Sequence, residues 1–155
     1  MKKEHQVIDG TPEKRLFLSI ISDYDLRTGL YELVDNALDL WTTNQRRKKL
    51  RIDITLDSRR QIITVKDNAG GVKEDQLRLL VAPGATRNTF NNEVIGIFGV
   101  GGKRAAVALG EHVEIKTRKR GSGSFQIDIT NAWLGTEDWD ITSYVIDEIP
   151  SGTTT

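Results

Sequence analysis

The helix predicted from about Leu26 to Gln45 limits the possible folds most strongly, because its two sides differ in chemistry. Its apolar side consists of Leu30, Leu33, Val34, Ala37, Leu38 and Trp41. These residues recur at the spacing of an amphipathic helix, so this side must lie against another layer of the protein. The other side carries Glu32 and Asn36, which are four residues apart and project from the same face. Asp35 and Asp39 extend this polar stripe, and no Lys or Arg lies within it.

The negative charge of the polar stripe has two interpretations. Like charges at such spacings cost about 0.2–0.5 kcal/mol each, so positive charge from outside the helix would stabilise the stripe. A hydrated divalent cation would supply that charge. The alternative is an acidic face that is solvated by water, which is common for charge runs. The helix alone leaves both interpretations open.

A second polar segment, Asp67 to Gly71, follows a run with the alternation of a β-strand. Ile63, Val65 and Asp67 have the same parity, so their side chains face the same side of the strand. An Asp at this position is either a turn starter, as Asp and Gly often are at strand ends, or a buried hydrogen-bond acceptor.

A glycine-rich segment then leads into an alanine-rich helical pattern. Its glycines are Gly96, Gly99, Gly101 and Gly102. Glycines let the backbone approach a ligand closely, and a helix N-terminus offers unpaired N–H groups with partial positive charge. This combination suits phosphate oxygens, and a flexible loop before a helix is the alternative.

Neither of two common phosphate motifs matches this glycine-rich segment. A Walker A loop ending in Gly102-Lys103 would require Gly where the chain has Ile97, and Ser or Thr where it has Arg104. A dinucleotide fingerprint starting at Gly99 would require Gly in place of Arg104. P-loop and Rossmann chemistry are therefore not expected.

The order of these motifs, followed by Gly152-Thr153, resembles the GHKL ATPase superfamily, which includes DNA gyrase, the ninety-kilodalton heat-shock chaperones, histidine kinases, MutL-type repair proteins and MORC-type ATPases. The resemblance runs from about Leu16 to Thr153, nearly the whole chain. It implies the α+β, two-layer α/β sandwich called the Bergerat-type ATP-binding fold. In that fold a mostly antiparallel mixed sheet has helices on one face.

The resemblance also implies roles for individual residues. Asn36 would coordinate a magnesium ion that bridges the phosphates, and Glu32 would be the catalytic general base toward the attacking water. Asp67 would accept a hydrogen bond from the adenine amino group, Gly71 would leave room beside the base, and Thr153 would support the adenine contact through Asp67 or a water. The residues expected to bind the nucleotide are Asn36, Asp39, Asp67, Gly71, Gly96, Gly99, Val100, Gly101, Gly102, Lys103 and Thr153.

The expected function is magnesium-dependent ATP binding with slow hydrolysis, which would drive a conformational or dimerisation switch, with a homodimer forming on ATP binding. A nucleotide sensor without catalysis and a protein-interaction domain of the same fold are the alternatives. The second alternative rests on Ala69, which stands where the family usually has glycine. A histidine kinase is not expected, because His5 lies too close to Asn36 to be a phospho-accepting residue on a preceding helix.

Composition excludes several classes of protein. The 155 residues contain 22 Lys and Arg, 22 Asp and Glu, and no Cys. Balanced charge does not favour nucleic acid as a partner. The absence of an apolar run of about 20 residues excludes a membrane-spanning helix.

We expect one cytoplasmic domain over residues 1–155. It is also expected to be a fragment of a longer protein, because the family would begin another strand near Ser151.

Hydrophobic periodicity predicts the remaining elements. Thr11-Pro12 predicts the start of a short helix, and the polar, irregular segment from Ala85 to Glu93 is expected to be a lid. In the strand Leu50–Asp57, the side chains of Ile52, Ile54 and Leu56 are expected to face inward. The other predicted elements are a strand ending at Asp67, a helix over Glu74–Val81, a helix ending at Gly110, and strands near Glu111–Lys119, Ser124–Thr130 and Asp140–Asp147.

Overall fold

The computed structural model describes Gln6, Lys14, Ser19 and residues 25–44, 48–82 and 101–155. The α-helices in these ranges are α1 (Leu26–Thr43), α2 (Arg78–Val81), α3 (Gly101–Leu109) and α4 (Asn131–Leu134), and a 3-10 turn spans Glu74–Gln76. The strands are β1 (Ile52–Asp57), β2 (Ile62–Asp67), β3 (His112–Arg118), β4 (Ser124–Thr130), β5 (Ser143–Ile146) and β6 (Gly152–Thr154).

The six strands form one sheet in the order β1-β2-β6-β3-β4-β5, and every neighbouring pair is antiparallel. The short strand β6 lies in the middle. Its Thr154 is opposite Lys66 of β2 on one side and Lys116 of β3 on the other. β6 therefore joins the β1–β2 hairpin to the β3–β4–β5 meander.

One face of the sheet is buried and the other is polar. Alternation along β3 and β4 buries Val113, Ile115, Thr117, Phe125, Ile127 and Ile129. Residues of opposite parity, such as Glu114 and Gln126, lie on the other face. Ala106 of α3 packs into the same core as Val113 and Ile115, together with residues of α2 and α4. The predicted α+β arrangement, with helices on one face of an antiparallel sheet, is confirmed.

Helix α1 begins at an N-cap and packs closely on α3. The Asp25 carboxylate accepts a hydrogen bond from the backbone N–H of Thr28 at 2.7 Å, which satisfies one of the unpaired donors of the first turn. Gly29 is buried, and a Cβ atom added there would lie 2.7 Å from Cδ1 of Leu109. The missing side chain at Gly29 therefore permits the close approach of the two helices.

The prediction that β1 faces inward was wrong for two residues. Ile54 is 45% exposed and Leu56 is 59% exposed. β1 is an edge strand, and α1 contacts β2, the next strand in the sheet. Correct alternation therefore did not lead to burial, because the helix layer is centred on the inner strands.

Other elements differ from the predictions mainly in their ends. The predicted helix over residues 74–81 is divided at Leu77 into a 3-10 turn and α2. The predicted last strand is confined to Ser143–Ile146. Lys14 and Ser19 of the predicted first helix are helical, whereas the lid over 85–93 lies outside the described residues.

Lys14 is attached to α4 by its side chain. Its Nζ donates hydrogen bonds to the carbonyl oxygen of Trp133 and to Oγ1 of Thr136, both at 2.7 Å. The same ammonium lies 3.9 Å from the ring centroid of Trp133, which meets Trp139 edge to face at 6.0 Å. Burial lowers the pKa of Lys14 and the charge of Asp138 raises it, with burial the larger effect.

In the part of the chain that is described, no helix is long and apolar enough to cross a bilayer.

Candidate functional site

Asp67, the last residue of β2, is a half-buried hydrogen-bond acceptor. Its Oδ1 accepts the backbone N–H of Ala69 at 2.7 Å and that of Thr153 at 3.3 Å. Burial raises the pKa of the Asp67 carboxyl, and these two N–H donors oppose the rise. The bond from Ala69 starts the turn, and the bond from Thr153 joins Asp67 to β6. Both interpretations of the sequence, turn starter and acceptor, therefore apply to this residue.

The turn after Asp67 requires glycine at two positions only. Gly70 and Gly71 have φ of +124° and +61°, and Ala69 is not among the residues with positive φ. A Cβ atom at Gly71 would collide with the carbonyl oxygen of Arg118 and approach that of Gly152. The departure from the family pattern at Ala69 is therefore compatible with the turn. Room beside a base at Gly71 stays a prediction.

The Gly152-Thr153 pair has a geometric explanation. Gly152 has φ of +150°, and a Cβ atom there would collide with the carbonyl oxygen of Asp67. Only glycine lets β6 approach Asp67 closely enough for the N–H of Thr153 to reach the carboxylate. The preceding loop is held by Arg118, whose guanidinium donates to the carbonyl of Ile149 at 3.1 Å.

Sequence reasoning missed two polar residues that support this site. Thr117 is fully buried, and its Oγ1 accepts the backbone N–H of Val72 at 3.0 Å and lies 3.3 Å from Oγ1 of Thr153. Nδ2 of Asn44, the C-cap of α1, donates to the carbonyl oxygen of Ala69 at 2.8 Å. The available signal for Thr117 was its parity, which placed a hydroxyl on the buried face of β3.

The polar side chains of α1 differ in their exposure to solvent. Asn36 is exposed and Glu32 is half-buried, whereas Asp39 is buried. Burial, and secondarily the negative charge of Asp39, raise the pKa of the half-buried Asp35. The structure thus places Glu32 and Asn36 on one turn of α1, and Asn44 at the end of that helix attaches it to the turn after Asp67.

The glycine-rich segment is described only from Gly101 onward. Gly101 and Gly102 form the first turn of α3, and the backbone of Lys103 continues it. Gly96, Gly99 and Val100 lie outside the described residues. Because α3 packs along α1, the start of the segment's helix belongs to the same layer as Glu32 and Asn36.

The exposed side chain of Asn36 fits the needs of magnesium. This ion keeps several waters and takes further oxygens from phosphates, so one or two protein ligands are enough. An amide oxygen is a suitable hard ligand. Among the described residues, no group of three or more His, Cys, Asp and Glu side chains is arranged to hold a metal ion.

A cavity of about 550 Å³ lies between β2 and β3, beyond the end of β6. Its lining includes Leu33 of α1, Ile63 of β2, Val113 of β3 and the terminal Thr155. Asp67 does not line this cavity. The cavity is therefore separate from the group formed by Asp67, Gly71, Gly152 and Thr153.

Comparisons with known proteins identify the family to which the sequence is similar. A sequence profile of the family described as histidine kinase-, DNA gyrase B-, and HSP90-like ATPase matches residues 24–152. The chain is also 29% identical over 122 residues to the chaperone protein HtpG of Mycolicibacterium gilvum (strain PYR-GCK). This alignment covers 67% of the chain. The alignment spans 18% of that relative's length.

The profile covers α1 with Glu32 and Asn36, the turn after Asp67, the glycine-rich segment and Gly152. Each of these motifs pointed to the same superfamily, and in the described part of the chain α1 contacts both α3 and β2. The chain therefore belongs to the histidine kinase-, DNA gyrase B- and HSP90-like ATPase family, whose members are ATP-binding domains.

Proposed function

We propose that this domain binds ATP with magnesium, hydrolyses it slowly, and uses the nucleotide state as a conformational or dimerisation switch in the cytoplasm. The observation that carries the proposal is the Asp67 carboxylate. Within the described part of the chain, its two hydrogen bonds end on Oδ1, which leaves Oδ2 to accept an N–H from a ligand. A fixed acceptor beside a glycine turn suits the amino group of adenine.

In this proposal α1 supplies the chemistry at the phosphates. Asn36 would hold magnesium through its amide oxygen, and the bound ion would neutralise and orient the phosphate oxygens. Glu32 would take a proton from the water that attacks the γ-phosphorus, as the bond to the ADP oxygen breaks in line. Asp39 is buried on the same helix and is a further proposed nucleotide-binding residue.

The start of α3 would receive the phosphates. Gly101 and Gly102 have no side chains to hinder close approach, and the first N–H groups of a helix carry partial positive charge. These donors would stabilise charge on the transferred phosphoryl oxygens. Lys103 and the remaining glycines of the segment are proposed phosphate contacts, and Gly71 and Thr153 are proposed contacts on the base side.

The activity of the isolated domain is expected to be weak, because closure over the nucleotide and association of two copies would both contribute to catalysis. Closure of loops over a bound substrate excludes water and completes catalytic groups, so such steps often limit turnover. Neither nucleic acid nor a membrane is proposed as a partner.

Binding is tested by calorimetric titration of ADP and a non-hydrolysable ATP analogue, with and without magnesium. We expect magnesium-dependent binding to the wild type. Asp67→Asn should weaken both nucleotides at least about tenfold while tripolyphosphate binding changes little, because a charged acceptor is replaced by a neutral amide. An equal loss for nucleotides and tripolyphosphate would show that Asp67 does not recognise the base.

Hydrolysis is tested with Glu32→Gln, which keeps the size of the side chain and removes the base. We expect turnover to fall by about 10²–10⁴-fold, the usual contribution of a general base, while nucleotide affinity stays within about twofold. Glu137→Gln, at an exposed position after α4, is the matched control. Unchanged phosphate release by Glu32→Gln would exclude Glu32 as the base.

A further inference from the structure

The hydroxyl of Thr117 lies at the junction of two segments that are distant in sequence. Thr117 is in β3, is completely buried, and is opposite Thr153 of β6 in the sheet. Its Oγ1 accepts the N–H of Val72, which follows the glycine turn after Asp67. The same atom lies 3.3 Å from Oγ1 of Thr153 and 3.5 Å from the carbonyl oxygen of Gly152.

A threonine hydroxyl has one proton to donate and two lone pairs that accept. Thr117 uses one lone pair for Val72. The remaining proton and lone pair face β6, where Gly152 offers a carbonyl oxygen and Thr153 offers a hydroxyl. One side chain can thus satisfy three polar groups at a point closed to water.

The two segments that carry these groups both donate a backbone N–H to the Asp67 carboxylate, from Ala69 in the turn and from Thr153 in β6. Val72 follows directly on Gly71, the end of the turn that Asp67 starts. Thr153 donates its backbone N–H to Oδ1 of Asp67 at 3.3 Å. The hydroxyl of Thr117 therefore contacts both of the segments that hold the carboxylate.

We infer that Thr117 is a positioning residue for base recognition, which acts by holding the Thr153 hydroxyl and the turn after Asp67 in the geometry that selects an amino group. The inference rests on the proposed function. Thr117 is too deeply buried to touch a ligand, so it acts only through Thr153 and Val72.

Burial alone does not account for threonine at this position. The cross-strand neighbour Phe125 and the other inward residues of β3, Val113 and Ile115, are apolar. Valine has nearly the same shape as threonine and would fill the same space. It would leave the N–H of Val72 without an acceptor, and such buried unpaired donors are rare in folded proteins.

The test compares ADP with inosine diphosphate, which carries a carbonyl group in place of the adenine amino group. Calorimetry measures both ligands on the wild type, Thr117→Val and Thr117→Ser. We expect the wild type to prefer ADP, and Thr117→Val to lose at least about tenfold in ADP affinity with a much smaller loss for inosine diphosphate. Thr117→Ser restores the hydroxyl and should recover the ADP preference to within about threefold.

A merely structural role gives a different pattern. General loss of stability would weaken both diphosphates alike and leave the preference for ADP intact, and serine, which lacks the methyl group, would not restore the lost affinity. Thr55→Val, the same change on the edge strand β1, is the matched control and should leave both affinities unchanged. If Thr117→Val does not fold, Thr117→Cys replaces it, since a thiol is a weak hydrogen-bonding group of similar size.

Failure of this inference is distinguishable from failure of the proposed function. If the wild type binds no ADP, the proposed function fails and the inference fails with it. If the wild type and Asp67→Asn behave as proposed but Thr117→Val keeps the full ADP preference, only the role of Thr117 is overturned.

Discussion

The carboxyl group of Asp67 has a structural role in the turn and in β6, and a proposed role in recognition of the base. Its folded-state pKa is raised by burial, so the charged form is less favourable in the folded than in the unfolded chain. The folded state therefore binds more protons than the unfolded chain at pH values just above the ordinary pKa of 3.8, and Asp67 reduces the free energy of unfolding as pH rises through that range. A charged acceptor at this position thus costs stability and provides a strong partner for a ligand N–H.

The raised pKa of Asp67 leads to a pH-dependent affinity. We expect ADP binding to weaken as pH falls through the pKa of Asp67, because the protonated carboxyl loses the charge that accepts the ligand N–H. Calorimetry of wild type and Asp67→Asn over the same pH series separates this effect from titration of the nucleotide, which both share. Parallel pH profiles for the two proteins would contradict the role of Asp67.

At the scale of single elements, tertiary packing determined which faces are buried, and hydrophobic periodicity alone did not predict this. The amphipathic pattern predicted α1 within two residues of its observed end at Thr43. The same kind of pattern predicted that Ile54 and Leu56 of β1 face inward, and both are largely exposed. Alternation determines which side chains share a face, and only the position of the neighbouring helix determines whether that face is covered.

The contact between α1 and α3 depends on Gly29. We expect Gly29→Val to lower the free energy of unfolding by about 1–3 kcal/mol, because the new side chain would overlap Leu109 and force the helices apart. Chemical denaturation measures the change. Helix propensity cannot cause this loss, because valine is a better helix former than glycine. An unchanged or higher free energy of unfolding in Gly29→Val would contradict the need for glycine at this contact.

At the scale of the whole molecule, β6 connects the two halves of the sheet. All three residues of β6 pair with β3, Thr154 also pairs with β2, and the backbone of Thr155 adds bonds to Val65 at 2.8 and 2.9 Å. The position of Thr153 beside Asp67 therefore depends on the pairing of β6 with both β2 and β3.

A substitution at Gly152 tests whether the pairing of β6 requires its close approach to Asp67. Gly152→Ala should destabilise the sheet strongly, because its Cβ would collide with the carbonyl oxygen of Asp67. Gly121→Ala is a matched control, since Gly121 also has positive φ, at +79°, but no heavy atom lies within 4 Å of the added Cβ. The control should lose about 1–2 kcal/mol from backbone strain. Denaturation curves measure both variants, and equal losses would show that the contact with Asp67 is unimportant.

The sequence by itself determined the amphipathic character of α1 and most of the strands, because these depend on residues close together in the chain. It also determined the family, because the motifs and their order are visible along the chain without any knowledge of tertiary contacts. The family resemblance also predicted that Thr153 acts with Asp67, either directly or through a water. Only the tertiary structure decided that β6 is central, that Gly71 and Gly152 are needed for backbone clearance, and that Thr117 links them. These features arise where β2, β3 and β6 meet, and contacts between residues 35 to 86 positions apart leave no local pattern in the sequence.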